Sequence, residues 1–282
     1  MEVIGVVGAG VMGKGVSHVF AQAGYQVILI DINDDVLVEA KQEIYNNIRF
    51  AGLFNGNQKS YNPDEIIKRI KFSYCYEILS DCDYVIENVT EKIAVKQDVY
   101  KKIDKVCKDS CIFAANTSCI SITQIAAWTK RPLNVIGTHF MNPVFLISAV
   151  EIIRGYHTSD DTVEKVKRLL ASIGKESILV NDYPGFVSNR ISHLLMNEAA
   201  FIVQEQVASP KDVDEIFKKC YGHKMGPLET ADLIGIDTVV NSLDILYESY
   251  QDSKYRCCPL LRKMVHAGKL GRKTQEGFYS YN

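Results

Sequence analysis

The chain has 282 residues, enough for one large domain or two ordinary ones, and its 47% hydrophobic content supports a packed core. With 23% charged residues and a net charge of −2 it lacks the basic excess that would argue for nucleic acid. No apolar run approaches the roughly 20 residues of a membrane helix, and the opening "MEVIGVVGAG" has no basic leader with a cleavage site. The expectation is a cytoplasmic protein without a membrane partner, whose eight cysteines are small buried hydrophobes; none has zinc-type spacing, so no metal site is expected.

In chain order, "VIGVVGAG" reads as a strand, Met12 to Ala23 as a helix and "QVILIDI" as a second strand. A helix is predicted from Asp34 to about Arg49, followed by a polar, Gly/Asn-rich tip between Ala51 and Asp64. "CDYVIENV", "CIFAANTS" and "LNVIGTHF" read as buried strands that end in polar residues. Near-continuous apolar strands alternating with helices predict a parallel sheet covered on both faces. After "VNDYPGF" the apolar positions fall at helical intervals, at Ile191, Leu194, Leu195, Ala199 and Ile202. The fold expected is therefore α/β, an N-terminal Rossmann-type doubly wound sheet over 1–183, then a smaller all-helical domain over 184–282.

The first strand runs into "GAGVMG", with Gly8, Gly10 and Gly13 in G-x-G-x-x-G spacing around Val11 and Met12. One glycine permits a tight turn, one a close approach to a pyrophosphate, and one close helix–strand packing. The helix that opens there aims free N–H groups and its positive end at the phosphates. Asp31 closes the next strand, where its carboxylate can accept from both ribose hydroxyls and would repel a 2′-phosphate. This favours NAD over NADP; the glycines alone also suit a flavin.

Ligands of an open parallel sheet gather beyond the carboxyl ends of its strands. Those ends carry Glu87, Asn88 and Glu91, then Asn116, Thr117 and Ser118, then His139 and Asn142. Hydride transfer from an alcohol needs a base for the hydroxyl proton, and histidine suits neutral pH. Glu151, a lone carboxylate between Val150 and Ile152, is costly to bury without a partner. The Asn142-Pro143 break could fold its strand back beside His139, pairing imidazole with carboxylate.

The segments "GAGVMG…D", "VIENVTEKIAVK", "ANTS…SIT", "GTHFMNPV…VEIIRG", "DYPGFVSNR", "GPLETADLIGID" and "GRKTQEGFYSY" occur in this order. Over essentially its whole length the chain resembles the 3-hydroxyacyl-CoA dehydrogenases. The resemblance implies that His139 is the general acid/base and Glu151 its partner. Ser118 would bind the substrate's 3-oxygen, and Asn189 would help fix the thioester. Glu91, Lys96, Asn142 and Lys273 would contact the nicotinamide half of NAD, with Asn116 and Ser118 at the same cofactor edge. It also implies a homodimer built through the helical domain.

Several positions depart from the usual family pattern. Ser118-Cys119 stands for two serines, Phe145 for a proline and Ser148 for a lysine. The tip "NGNQKS" replaces a lysine-bearing segment that meets the CoA phosphates and leaves Lys59 for that task. The acyl handle is therefore open between coenzyme A and an acyl carrier protein. A non-catalytic NAD-binding protein of crystallin type, or a dehydrogenase of free hydroxyacids, would keep the same fold.

Overall fold

The computed structural model describes residues 2–54 and 61–281; Lys59 lies outside them. The chain forms two compact units, Met1–Asp182 and Tyr183–Asn282.

In the first unit the strands are β1 (Val3–Val7), β2 (Gln26–Ile30), β3 (Ile70–Ser73), β4 (Tyr84–Glu87), β5 (Ile112–Ala115), β6 (Val135–Phe140), β7 (Ala149–Arg154) and β8 (Glu176–Asn181). Its helices are α1 (Val11–Gln22), α2 (Asp34–Phe54), α3 (Pro63–Ile67), α4 (Ile93–Val106), α5 (Ile122–Ala126) and α6 (Asp160–Ser172). The strands form one sheet in the order β3-β2-β1-β4-β5-β6-β7-β8. The order reverses beside β1, between β2 and β4, which opens the crevice where such sheets bind ligands.

Side-chain alternation divides the sheet between two cores. Ile4, Val6, Tyr84, Ile86, Ile136, Phe140, Val150 and Ile152 pack with α1, α2, α3 and α6. The opposite face carries Val85 and Phe113, both buried, with Tyr100 of α4 edge-on to Phe113 at 6.1 Å. Glu87, His139 and Glu151 belong to this second face.

The sheet is parallel as expected except at β7, where the chain folds back through Asn142-Pro143, as the break there suggested. β7 runs antiparallel to β6, because the eight residues from 141 to 148 are too few for a crossover, which takes a dozen or more. α6 then supplies a crossover, and β8 pairs parallel to β7. The edge strands β3 and β8 carry no strong apolar run and were not anticipated; β8 has mostly exposed side chains. α2 continues four residues into the expected tip, as far as Phe54.

The second unit comprises α7 (Ser188–Gln204), α8 (Pro210–Tyr221), α9 (Pro227–Ile234), α10 (Ile236–Tyr250) and α11 (Pro259–His266). Ile236, Val239, Val240 and Leu243 form the buried stripe of α10 against Met196, Ala200, Ala231, Leu261 and Met264. Of the predicted stripe of α7, Ala199 is buried, Leu194, Leu195 and Ile202 are half-buried and Ile191 is exposed; Met196, Asn197 and Ala200 are buried besides. Asn197 can be buried because its amide donates to the Arg256 carbonyl and accepts from Cys258 N–H.

Two buried aspartates organise the rest of this unit. Asp214 accepts from the N–H groups of Leu228 and Glu229 at the start of α9. Asp232 accepts from Phe278 N–H, Tyr279 N–H and the Tyr281 hydroxyl, tying down the C-terminal segment. That segment adds two isolated bridges, Gly271–Glu276 and Glu276–Ser280, to an otherwise helical unit.

Candidate active site

The three glycines of the first turn act differently. Gly8 has φ +98, and a Cβ there would meet the Asn88 carbonyl at 2.8 Å. A Cβ on Gly13 would lie 1.7 Å from the Gly8 oxygen, so the helix packs on the turn without room for a side chain. At Gly10 a Cβ would meet nothing within 4 Å. This open side of the turn is where a pyrophosphate can approach, and Gly10 caps α1 without a side-chain hydrogen bond, leaving the N–H groups of Val11, Met12 and Gly13 to face it.

Asp31 closes the turn from the side. Ala9 N–H donates to its Oδ2 at 2.5 Å and Ile32 N–H to its Oδ1 at 2.7 Å. Each carboxylate oxygen retains a second acceptor direction for a ribose hydroxyl. A cavity of about 590 Å³ runs from Gly8, Gly10 and Asp31 to a wall of Tyr76, Val95, Val99 and Lys102. Burial pushes the Tyr76 hydroxyl up to about 12, so it stays protonated and available as a donor. This shape and donor set fit the adenosine and pyrophosphate of NAD. The wall escaped the sequence reading, although Val95, Val99 and Lys102 share one face of α4 by spacing.

At the other end of the crevice, His139 and Glu151 lie directly opposite each other on β6 and β7. Nδ1 of His139 is 3.0 Å from Glu151 Oε2, and both side chains are buried. The Ser118 hydroxyl lies 3.2 Å from His139 Nε2. The antiparallel reversal through Asn142-Pro143, a cis peptide bond, brings the pair together. The Lys175 ammonium ties the reversal by donating to the carbonyls of Val144 and Ile147 at 2.6 and 2.5 Å, and burial holds its pKa below the usual lysine value.

Ser118 sits in a bend that follows β5. Glu91 Oε1 accepts there from the Thr117 hydroxyl at 2.5 Å and from the N–H groups of Ser118 and Cys119 at 2.9 and 3.0 Å. Burial pushes the Glu91 carboxyl up, but the Lys96 ammonium and these donors outweigh it and hold the group below the usual range. Lys96 has no exposed surface; it pairs with both oxygens of Glu87 and lies 3.5 Å from Glu91. Lys96 therefore offers no exposed face to a cofactor; its ammonium stands behind Glu91 and the Asn116 carbonyl. Burial pushes the Glu87 carboxyl above its usual range, against the pull of Lys96.

The Asn116 amide donates to Asn88 Oδ1 and accepts from Phe140 N–H, linking the ends of β4, β5 and β6. Asn142 is exposed in the reversal. Asp182, unremarked in the sequence, accepts from the Ser121 hydroxyl and from Ile122 and Thr123 N–H, capping α5 just beyond the Ser118 bend. In the second unit, Asn189 is the second residue of α7, and Lys273 pairs with Asp237 at 2.5 Å. Among the described residues no cluster of metal-ligating side chains occurs and no helix is long and apolar enough to cross a membrane.

Comparison with known proteins agrees with this geometry. Residues 3–183 match the 3-hydroxyacyl-CoA dehydrogenase NAD-binding domain and residues 185–281 the C-terminal domain of the same enzymes. The chain is 43% identical over 277 residues to a probable 3-hydroxybutyryl-CoA dehydrogenase of Deinococcus radiodurans, covering 98% of this chain and 99% of that one. It is 44% identical to a 3-hydroxybutyryl-CoA dehydrogenase of Bradyrhizobium diazoefficiens, covering 99% and 94%. The crystal structure of (S)-3-hydroxybutyryl-CoA dehydrogenase from Ralstonia eutropha superposes with a TM-score of 0.94 at 40% identity, covering 100% and 99%. With both domains matched end to end around a buried His–Glu pair and an open glycine turn, the chain belongs to the 3-hydroxyacyl-CoA dehydrogenase family.

Proposed function

We propose that this protein oxidises the hydroxyl of an (S)-3-hydroxyacyl-CoA of 3-hydroxybutyryl type to the 3-oxo thioester, reversibly and with NAD. The observation that carries the reading is the Ser118–His139–Glu151 array. Glu151 accepts a hydrogen bond from His139 Nδ1–H, which fixes the tautomer with a lone pair on Nε2, the nitrogen that faces Ser118. A substrate hydroxyl within reach of both Ser118 Oγ and Nε2 loses its proton to Nε2, and the buried carboxylate stabilises the imidazolium that forms. When bound, NAD supplies the hydride acceptor.

The Gly8–Gly13 turn and Asp31 hold the pyrophosphate and adenosine ribose. Asn189 on the thioester, Lys59 on the CoA phosphates, and Asn142 and Lys273 beside the nicotinamide are assignments that rest on the family motifs. Homodimer assembly through the second unit is supported by the exposed apolar side chains Ile191, Ile216, Tyr221 and Leu233; light scattering on the purified protein tests it.

The deciding assay follows NADH formation with (S)-3-hydroxybutyryl-CoA, the same acyl group on an acyl carrier protein, and free 3-hydroxybutyrate. Turnover of the CoA ester is expected. Activity only on the carrier-bound or free acid would overturn the choice of substrate.

A further inference from the structure

Behind the proton-handling pair, Glu87 and Lys96 form an ion pair with no exposed surface on either side chain. The Lys96 ammonium lies 2.8 and 2.9 Å from the two Glu87 oxygens, and Val89 N–H donates to the same carboxylate at 2.6 Å. The ammonium also donates to the Asn116 carbonyl at 3.3 Å and stands 3.5 Å from Glu91 Oε2. Glu91, in turn, gathers the Thr117 hydroxyl and the Ser118 and Cys119 N–H groups on its other oxygen.

An ion pair this deep gains little stability over an apolar pair of similar volume, because desolvation offsets the attraction. Stability alone does not account for its presence. Geometry does: Glu87 fixes the ammonium from below, and the ammonium fixes Glu91, whose carboxylate shapes the bend that aims Ser118 at His139. We propose that Glu87 is a positioning residue for the reaction, anchoring Lys96 so that Glu91 holds the Thr117–Cys119 bend and the Ser118 hydroxyl at His139. The inference rests on the dehydrogenase reading above and extends it to a side chain that touches neither substrate nor cofactor.

Two variants test it, Glu87→Gln and the apolar exchange Glu87→Leu/Lys96→Met, the second guarding against a fold lost to an unpaired buried ammonium. In both, kcat is expected to fall by about tenfold or more, since small misplacements of reacting groups carry penalties of that order. The NADH dissociation constant should move by less than about threefold, because the glycine turn and Asp31 are untouched. The effect of Glu87→Gln should largely vanish in a Glu91→Gln background, as for residues acting in series.

Amide hydrogen exchange at Ser118 and Cys119 should quicken by about tenfold in Glu87→Gln, a readout independent of turnover. An apolar exchange variant that folds and keeps wild-type kcat and exchange rates overturns the proposal. Absence of turnover in the unsubstituted enzyme would count against the dehydrogenase reading instead, and the exchange measurement would still decide the role of Glu87.

Discussion

Burial turns His139 and Glu151 from two polar side chains into one functional unit. A carboxylate at this depth needs a partner, and the imidazole Nδ1 at 3.0 Å is that partner. His139→Gln should lower kcat by about 10³-fold while NADH affinity, read by fluorescence titration, stays near wild type. Glu151→Gln should follow with a loss of about 10²-fold or more, because the amide can accept the Nδ1 proton but cannot balance the imidazolium charge. Asp31 also has a structural task besides its proposed contact with the ribose, since it accepts from Ala9 N–H and holds the glycine turn. Asp31→Ser should therefore narrow the NAD/NADP preference and also cost about 1–2 kcal/mol of stability in urea unfolding. An unchanged cofactor ratio would mean that Asp31 does not touch the ribose.

The turn between β1 and α1 separates packing from binding in adjacent glycines. Gly13→Ala drives a methyl into the Gly8 carbonyl, so the variant should fold poorly or not at all. Gly10→Ala meets no protein atom; its melting temperature should hold within about 1–2 °C while NAD affinity drops about tenfold or more, or about 1.4 kcal/mol. Equal stability losses in the two variants would refute this division. The bend held by Glu91 has a pH signature. Its folded pKa lies below the free value of about 4.3, so its stabilisation is complete above that value and is lost as pH falls through the folded pKa. The stability gap between wild type and Glu91→Gln, measured by urea unfolding from pH 6 to 3, should close as the solution becomes acid.

Across the molecule, one carboxylate in each unit gathers several donors: Asp182 caps α5 in the first, and the buried Asp232 ties down the C-terminal segment in the second. Asp232→Ala should cost the second unit about 3 kcal/mol, seen as a lower urea midpoint at unchanged slope. Burial, with the Asp232 bond added, pushes the Tyr281 hydroxyl up to about 12; in the variant its ultraviolet titration should move downward. The helical second half, the glycine turn and Asp31 were legible in the sequence because each depends on local spacing: a 3.6-residue period, three glycines, one acid at a strand end. His139 and Glu151 could be named as well, since a lone carboxylate in an apolar run demands a partner. The fold-back of β7 was legible too, in the Asn142-Pro143 break; the edge strands β3 and β8, the burial of Asn197 on α7 and the Glu87–Lys96–Glu91 chain were not. Asn197 was buried by partners some 60 residues away, and Lys96 was hidden by carboxylates on neighbouring elements. Sequence spacing determined which residues could do chemistry here; burial and long-range pairing, which exist only once the sheet is assembled, decided which of them stay open to the crevice and which are buried among the others.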